Sequence, residues 1–364
     1  MNRVMGRIML AAALAVPAAA AGTMAWGTAA RAAADDWEAP LLVDQDNAHE
    51  VYKPLPAGAV AGKGYHLCVA LPHMKDAYYI AKDYGLVREA KRQGIAVSVM
   101  AAGGYNNLSQ QIQQIEDCVA RGGDAVLVNA VSKSGLNGLI EELHAKGIPV
   151  LDMGNGLDSP LVAAAARAKY YQAGAKAGSY LAEKHPAGSG KVNLIWLAGP
   201  AGSQWVEDAV RGMKEAIAGS DVNLLQVIYG DTGKGVQMKL IEDAMQAYAD
   251  VDVIGGNAPA IEGAMEIFKM RGVKGPDLIA FYVTPAIEQA VRDGAVTAAV
   301  GDYNVIGSRI SVDQALRILE NKLEVPVANR QFFVVDADNV NSYDQSVLLA
   351  PKGFEPVFEI EPGS

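Results

Sequence analysis

Short apolar runs and longer segments of mixed polarity alternate along most of this chain. Residues 67–71 and 95–100 are largely apolar, and between them apolar residues recur at three- and four-residue spacing. A continuous apolar run is typical of a strand buried on both faces of a parallel sheet, and the second pattern predicts an amphipathic helix. The globular part of the chain therefore begins with a β-α-β unit.

The same alternation continues to about residue 335 and predicts two successive sets of β-α units. Further strands are predicted at residues 125–128, 148–153, 191–197, 222–229, 251–254, 278–281, 296–300 and 332–335. This order predicts an α/β fold of two doubly wound parallel-sheet domains with a cleft between them. A helix at 307–321 should return to the first domain, so that several chain crossings form a hinge.

The pattern also suggests where the domains begin and end. We predict a signal peptide, an irregular segment, two lobes that each contain two pieces of chain, and a tail. These are residues 1–34 (signal peptide), 35–63 (irregular segment), 64–155 with 302–325 (N-terminal lobe), 156–301 with 326–350 (C-terminal lobe) and 351–364 (tail).

The first 34 residues have the organisation of a secretory signal. Arg3 and Arg7 precede an uncharged apolar stretch at 8–21, and small residues fill 29–34. Gly22 interrupts the stretch, whereas a membrane span needs about 20 unbroken apolar residues. No later segment is long and apolar enough to span a bilayer. The sequence therefore predicts an exported protein that is not embedded in the membrane.

The charge balance disfavours nucleic acid as a partner. The formal net charge is −10, and it becomes −13 if cleavage after residue 34 removes three arginines and no acidic residue. An acidic surface repels phosphate backbones.

Cys68 and Cys118 are the two cysteines of the chain. Cys68 lies in the first predicted strand of the first domain, and Cys118 lies in the helix after the second strand. In a sheet of order 2-1-3, a right-handed crossover carries that helix over the first strand. This reasoning allows either a disulfide or two separately buried thiols.

No set of residues has the spacing of a catalytic, metal or cofactor site. His73 has no cysteine or carboxylate at metal-ligand spacing, which favours a structural role for it in a loop. The Gly188–Lys191 segment lacks the first glycine and the hydroxyl residue of a phosphate-binding loop, and no nucleophile elbow occurs. We therefore expect neither an enzyme nor a cofactor.

Four segments carry a family resemblance: VALPHMKDAYY, AAGGYNN, AGAKAGSYLAEKHPAGSGK and FYVTP. From about residue 63 to 350 the chain resembles the periplasmic type I solute-binding proteins, with the ribose-binding, LacI-like fold. Within that family, these segments are similar to the TorT-like proteins. The resemblance implies a periplasmic protein that senses trimethylamine N-oxide or a similar solute and relays it to the periplasmic domain of a membrane sensor histidine kinase. The alternative is a sugar- or other small-solute-binding subunit of an ABC importer, whose partner is a permease.

The resemblance also implies which aromatic residues form the ligand site. The matching positions are Tyr78, Tyr79, Tyr105, Tyr170 and Tyr282, with tyrosine at 79 and 170 where TorT-like proteins have tryptophan. Aromatic faces attract a methylated, positively polarised nitrogen, and hydroxyl groups can meet an oxide oxygen. Each tyrosine taken singly is also compatible with packing at the rim of the cleft.

Polar residues at predicted strand ends are further candidates for ligand contact. Asp76 either binds a cationic ligand or water, or is a solvated loop charge. Asn257 follows a strand at the expected cleft edge. Asp302 either reaches the ligand or caps the following helix. Asn129 and Asn155 end two strands of the first domain and have the same ambiguity.

Overall fold

The computed structural model describes residues 37–42 and 49–363, so the predicted signal peptide lies outside the described residues. The strands, in chain order, are β1 (Ala39–Leu42), β2 (His49–Tyr52), β3 (His66–Leu71), β4 (Ala96–Ala101), β5 (Ala125–Val128), β6 (Val150–Asp152), β7 (Ala164–Ala168), β8 (Val192–Gly199), β9 (Val222–Tyr229), β10 (Val253–Gly256), β11 (Asp277–Ala280), β12 (Ala298–Asp302), β13 (Val327–Arg330), β14 (Phe332–Asp336) and β15 (Glu359–Ile360). The α-helices are α1 (Ala77–Gln93), α2 (Leu108–Ala120), α3 (Asn137–Ala145), α4 (Tyr170–Lys184), α5 (Gln204–Ile217), α6 (Lys234–Ala247), α7 (Ala258–Arg271), α8 (Pro285–Arg292) and α9 (Asn304–Leu319).

These elements build two sheets, each covered by helices. The first sheet has the order β15-β4-β3-β5-β6-β7-β13-β1-β2, in which β3 to β7 and β13 run parallel. The second has the order β14-β12-β11-β10-β8-β9 and is parallel except for β14. In both sheets the first β-α-β unit has its second strand outside its first. The predicted class, two doubly wound parallel-sheet domains, is confirmed.

The strands at the centre of the sheets are buried on both faces, as their continuous apolar sequences predicted. In β3, Leu67, Val69 and Leu71 pack into the cluster that contains α1, while Cys68 and Ala70 pack on the opposite side against α2. None of the described helices is long and apolar enough to span a bilayer.

The chain passes between the two sheets four times. It leaves the first sheet between β7 and α4, returns between β12 and α9, leaves again between β13 and β14, and returns before β15. Helix α9 packs on α1 and β7 of the first lobe, as the sequence predicted. Connections that run in both directions form a hinge about which two lobes can close on a ligand.

The strand positions correct several predicted boundaries. β7 and β13 join the first sheet, although residues 164–168 and 327–330 were assigned to the C-terminal lobe. The sequence of β7 is rich in alanine, which has a weak strand preference, so its pattern does not predict a strand. Its Ala166 packs with Ile306 and Ile310 of α9, where a small side chain lets the helix lie close to the sheet.

The segments predicted to be irregular also contain strands. β1 and β2 lie within 35–63, and β15 lies within the tail at 351–364. Each has four residues or fewer, and each joins the first sheet through an antiparallel pairing. β1 contains Pro40 and β2 begins with His49 and Glu50, so neither has the continuous apolar run from which the buried strands were predicted. β15 has two residues, which is too few to show a pattern.

Cys68 and Cys118 form a disulfide that closes a sequence separation of 50 residues. It joins β3 to α2, which crosses over that strand as the right-handed connection requires. A Cβ at Gly123 would collide with Cys68 Sγ, so the bridge also explains a glycine at the end of α2.

Candidate functional site

A cavity lies between the two lobes, at the carboxyl ends of the parallel strands. The volume of this cavity is about 20 Å³. Its lining consists of Asp76, Tyr78, Tyr79, Tyr105, Asn155, Tyr170, Trp205, Thr232 and Tyr282. The five tyrosines and Asp76 that the sequence indicated are therefore brought together where open α/β sheets bind ligands.

Asp76 and the first two tyrosines are positioned by the start of α1. Asp76 is the N-cap residue, and its Oδ1 accepts hydrogen bonds from the backbone N–H groups of Tyr78 (2.8 Å) and Tyr79 (3.3 Å). This is the usual way in which an aspartate satisfies the free donors of a helix start. The cap directs both aromatic side chains and one carboxylate from a single turn toward the cavity.

The tyrosine hydroxyls form two pairs. Tyr79 Oη lies 2.7 Å from Tyr105 Oη, and Asn155 Nδ2 donates to both, over 3.4 and 3.2 Å. Tyr78 Oη lies 2.8 Å from Tyr170 Oη. Burial raises the pKa of Tyr170 to about 12 and raises the pKa of Tyr79 well above its ordinary value, so these hydroxyls stay neutral. Neutral hydroxyls can both donate and accept.

Asp302 lies behind the cavity lining. Its Oδ2 accepts from Tyr78 Oη at 3.3 Å and forms an ion pair with the buried Arg330 at 3.3 Å. Asp302 ends β12 and Arg330 ends β13, so both residues stand where the chain crosses between lobes. The structure thus places Asp302 in the hinge, and the side chain of Tyr78 separates it from the cavity.

Asn257 has a structural position. Its Oδ1 accepts from Ala260 N and its Nδ2 donates to Leu197 O, both at 3.0 Å, which caps α7 and ties it to β8. The residue is fully buried and does not line the cavity. A strand-end asparagine followed by a helix has the same sequence pattern whether it binds a ligand or caps that helix.

Trp205 and Thr232 line the cavity although the sequence did not single them out. Trp205, near the start of α5, packs against the rings of Tyr105 and Tyr170. Its buried Nε1 has no hydrogen-bond partner among the described residues. Both residues follow strands of the second domain within a few positions, so a search of strand ends for aromatic and hydroxyl side chains would have found them.

Asn155, whose role the sequence left open, also lines the cavity. Its Oδ1 accepts from Asn129 Nδ2 at 2.8 Å, and its Nδ2 donates to Ala130 O at 3.0 Å. The amide is thereby fixed in the orientation that presents N–H groups to the paired hydroxyls of Tyr79 and Tyr105.

Side-chain hydrogen bonds also join the loop before α1 to the second lobe. His73 Nε2 lies 3.0 Å from Thr232 Oγ1, and Tyr282 Oη donates to Asp76 Oδ2 over 3.3 Å. His73 Nδ1 accepts from Lys75 N at 3.3 Å, and burial lowers the pKa of His73 to about 4. The imidazole is therefore neutral near pH 7 and its Nε2 is the donor to Thr232.

Asp76 is the carboxylate of this cavity, and it forms no ion pair with any described residue. Burial raises its pKa to about 6, although the three hydrogen bonds that it accepts act in the opposite direction. Five tyrosines, one tryptophan and one carboxyl thus surround the cavity, and aromatic faces of this kind attract positively polarised groups.

Comparisons with known proteins agree with this geometry. Residues 67–323 match the model of the periplasmic binding protein domain family. Periplasmic protein TorT of Escherichia coli strain K12 is 28% identical over 299 residues, which cover 82% of this chain and 85% of TorT.

Two solved structures extend the comparison. An ABC transporter solute-binding protein from Bradyrhizobium sp. BTAi1, with bound bis-Tris, is 45% identical and covers 89% of this chain and 98% of its own, with a TM-score of 0.74. The complex of TorT with the TorS sensor domain in the presence of trimethylamine N-oxide (TMAO) has a TorT chain 29% identical, covering 81% of this chain and 99% of its own, again with a TM-score of 0.74. The match of family, fold and cleft shows that the chain belongs to the periplasmic binding proteins.

Proposed function

We propose that this periplasmic binding protein senses trimethylamine N-oxide, or a closely similar methylated amine oxide, and relays its presence to a membrane sensor histidine kinase. The observation that supports the ligand is the cage of six aromatic side chains around one cavity that also holds Asp76. A trimethylated nitrogen presents a shell of positively polarised methyl groups, which aromatic faces attract. The N-oxide oxygen needs a donor in the same cavity.

The related TorT structures support both parts of this proposal. TorT was solved in complex with the TorS sensor domain in the presence of TMAO. Tyr79 and Tyr170 stand where the TorT-like proteins have tryptophan, but Trp205 packs on Tyr170 and restores an indole to the cage. Tryptophan is the strongest cation–π face, so its presence keeps the cage suited to a methylated nitrogen.

Calorimetry tests the ligand. We expect the mature protein to bind TMAO and not to bind ribose or galactose, because a sugar needs several polar groups matched to its ring hydroxyls. Tight pentose binding without TMAO binding would reject the proposed ligand.

A pull-down tests the relay. The periplasmic domain of the cognate sensor kinase should form a complex with this protein, and the complex should differ from the isolated protein in its affinity for TMAO. A ligand shifts an equilibrium only through such a difference in affinity. Absence of a complex with and without ligand would reject signalling.

One observation favours a second function, as the solute-binding subunit of an ABC importer. The 45% identical Bradyrhizobium protein is described as an ABC transporter protein and holds bis-Tris, a hydroxylated tertiary amine. The same cage with Asp76 suits such an amine. Ligand uptake through a reconstituted permease and ATPase, together with no kinase complex, would establish import in place of signalling.

A further inference from the structure

The cavity contains a carboxyl group whose charge state decides what kind of nitrogen compound it can bind. Asp76 Oδ1 is occupied by two backbone N–H groups, while Oδ2 accepts from Tyr282 Oη and from no other residue that the structure describes. Oδ2 therefore keeps a lone pair, or a proton, for a further partner. Because Asp76 lines the cavity, that partner can be a bound ligand.

The groups around Asp76 disfavour its ionised form. Glu262 on α7 adds negative charge, and burial raises its own pKa as well. His73 in the same loop is neutral near pH 7 because burial lowers its pKa to about 4. The lysine nearest in sequence, Lys75, is exposed. Its Nζ and Asp231 Oδ2 both lie beside Gly104, 3.4 and 3.5 Å from the position that a Cβ would take there.

The other neighbours of Asp76 are tyrosines, which carry no charge at neutral pH. Tyr282 faces Asp76 across the cleft and Tyr105 faces it from the loop after β4, and burial raises the pKa of both hydroxyls. Burial likewise raises the pKa of Asp76, to about 6. No described lysine or arginine forms an ion pair with the Asp76 carboxylate.

The two protonation states of Asp76 suit opposite ligands. An ionised carboxylate only accepts hydrogen bonds, so it attracts a cation and repels the negatively polarised oxygen of an amine oxide. A neutral carboxyl carries an O–H and donates to that oxygen. Binding of an amine oxide therefore favours the protonated form, and binding of a quaternary ammonium ion favours the ionised form.

We propose that recognition of an amine oxide by this cavity is proton-linked. Asp76 is neutral in the complex and donates its O–H to the oxide oxygen, while the aromatic rings surround the methyl groups. When the complex forms from the ionised protein, the carboxylate takes up one proton from solvent and no other bond changes. This proposal rests on the amine-oxide ligand put forward above, and it makes Asp76 the residue that selects oxides from ammonium cations.

The first test measures proton uptake by the wild-type protein. TMAO is titrated calorimetrically into the mature chain between pH 5.5 and 8, in buffers of low and high ionisation enthalpy. We expect the affinity to fall about tenfold per pH unit above about pH 7, because each complex then binds one more proton than the free protein. The dependence of the heat on the buffer should correspond to about one proton.

Tetramethylammonium, which has the methyl shell and no oxygen, is the comparison ligand. Its affinity should rise with pH as Asp76 ionises and then level off. The Asp76→Asn variant keeps a helix cap and has a neutral N–H donor, so its affinity for TMAO should not depend on pH and should exceed that of the wild type at pH 8. Asp231→Asn removes a carboxylate at the cleft rim and should keep the wild-type slope.

The outcomes separate the two proposals. TMAO binding of constant affinity over this pH range, without proton uptake, would overturn the proton linkage and leave the ligand assignment standing. The oxide oxygen could then accept from Trp205 Nε1, which has no hydrogen-bond partner among the described residues. If Asp76→Asn binds TMAO with the pH slope of the wild type, a different group carries the proton. Absence of TMAO binding at every pH would reject both proposals.

Discussion

Two carboxyl groups flank the aromatic cage, and they differ in whether a cation of the protein compensates their charge. Asp76 in the cleft and Asp302 in the hinge each accept a hydrogen bond from one tyrosine hydroxyl over 3.3 Å. Asp302 also faces Arg330, whereas Asp76 faces no cation among the described residues. The hinge carboxylate has its charge compensated within the protein. The cleft carboxyl has no such cation among the described residues, and a group with a perturbed pKa in a cleft is typical of a functional site.

Tyr78 connects the two regions. Its ring lines the cavity, and its hydroxyl lies between Tyr170 Oη and Asp302 Oδ2. Tyr170, Asp302 and Arg330 each stand at one of the first three chain crossings between the lobes. A ligand that contacts the Tyr78 ring is therefore connected to the hinge through the hydrogen bond from Tyr78 Oη to Asp302.

Removing the cation of the hinge pair should have the largest effect. Arg330→Met leaves Asp302 buried and unpaired, so we expect a loss of about 3–5 kcal/mol in the free energy of unfolding, measured with urea. Arg271→Met is the matched control, because Arg271 forms an exposed ion pair with Glu242 and should cost less than about 1 kcal/mol. Equal losses in the two variants would contradict a structural role for the hinge pair.

Truncating the cage should weaken binding without unfolding the protein. Tyr79→Ala or Tyr282→Ala should reduce the free energy of TMAO binding by about 1–3 kcal/mol, because each removes an aromatic face and a hydroxyl. Phenylalanine at the same positions separates the two contributions. Tyr229→Ala, outside the cavity lining, is the control. If alanine at 79, 105, 170 and 282 leaves the affinity unchanged, the ligand binds elsewhere.

Neutralising the cleft carboxyl should stabilise the free protein in a pH-dependent way. The pKa of Asp76 is raised in the folded state from 3.8 to about 6, so the folded protein binds more protons than the unfolded chain between those values. This contribution to stability therefore falls as the pH rises from about 4 to 6 and stays low above that range. Asp76→Asn should be more stable than the wild type by about 1–2 kcal/mol at pH 8.

The control for that stability measurement is the same pair of proteins at pH 4. There the wild-type carboxyl is protonated when folded, and the difference in urea midpoints should disappear. A variant that is less stable than the wild type at pH 8 would show that the ionised carboxylate stabilises the fold and that the cleft does not leave it uncompensated.

Breaking the link between the two regions should have the smallest effect. Tyr78→Phe keeps the ring in the cavity and removes the hydroxyl between Tyr170 and Asp302, at a cost of about 0.5–1.5 kcal/mol in unfolding free energy. If the hydroxyl couples the ligand to the hinge, the variant should bind TMAO with nearly wild-type affinity while the ligand-dependent change in kinase binding is reduced. If the ligand-dependent change in kinase binding is the same as in the wild type, the Tyr78 hydroxyl does not couple the ligand to the hinge.

The sequence predicted the cage better than it predicted the hinge. The family resemblance indicated Tyr78, Tyr105 and Tyr282, and each follows a buried strand, at the edge where open α/β sheets bind ligands. Asp302 and Asn257 occur in the same sequence pattern, yet one pairs with Arg330 and the other caps α7. Which of these happens depends on residues that are distant in the chain, and a single sequence does not contain that information.

The predicted lobe boundaries were wrong for a similar reason. β7 has too many alanines to show a strand pattern, and it joins the first sheet because α9 and β13 pack against it from more than 130 residues away. Trp205 was not predicted because it lies outside the four segments that carry the family resemblance. Its contribution to the cage follows from its ring contacts with Tyr105 and Tyr170.

A crystal structure of the mature protein with trimethylamine N-oxide tests the account most directly. We predict that the nitrogen lies within about 6 Å of the ring centroids of the cage, including Tyr79 and Trp205, as cation–π contacts require. The oxide oxygen should lie within hydrogen-bond distance of Asp76 Oδ2, with Asp302 still paired to Arg330. A ligand outside this cavity, or an oxygen that points away from Asp76, would contradict the assignment of the cleft carboxyl to the ligand.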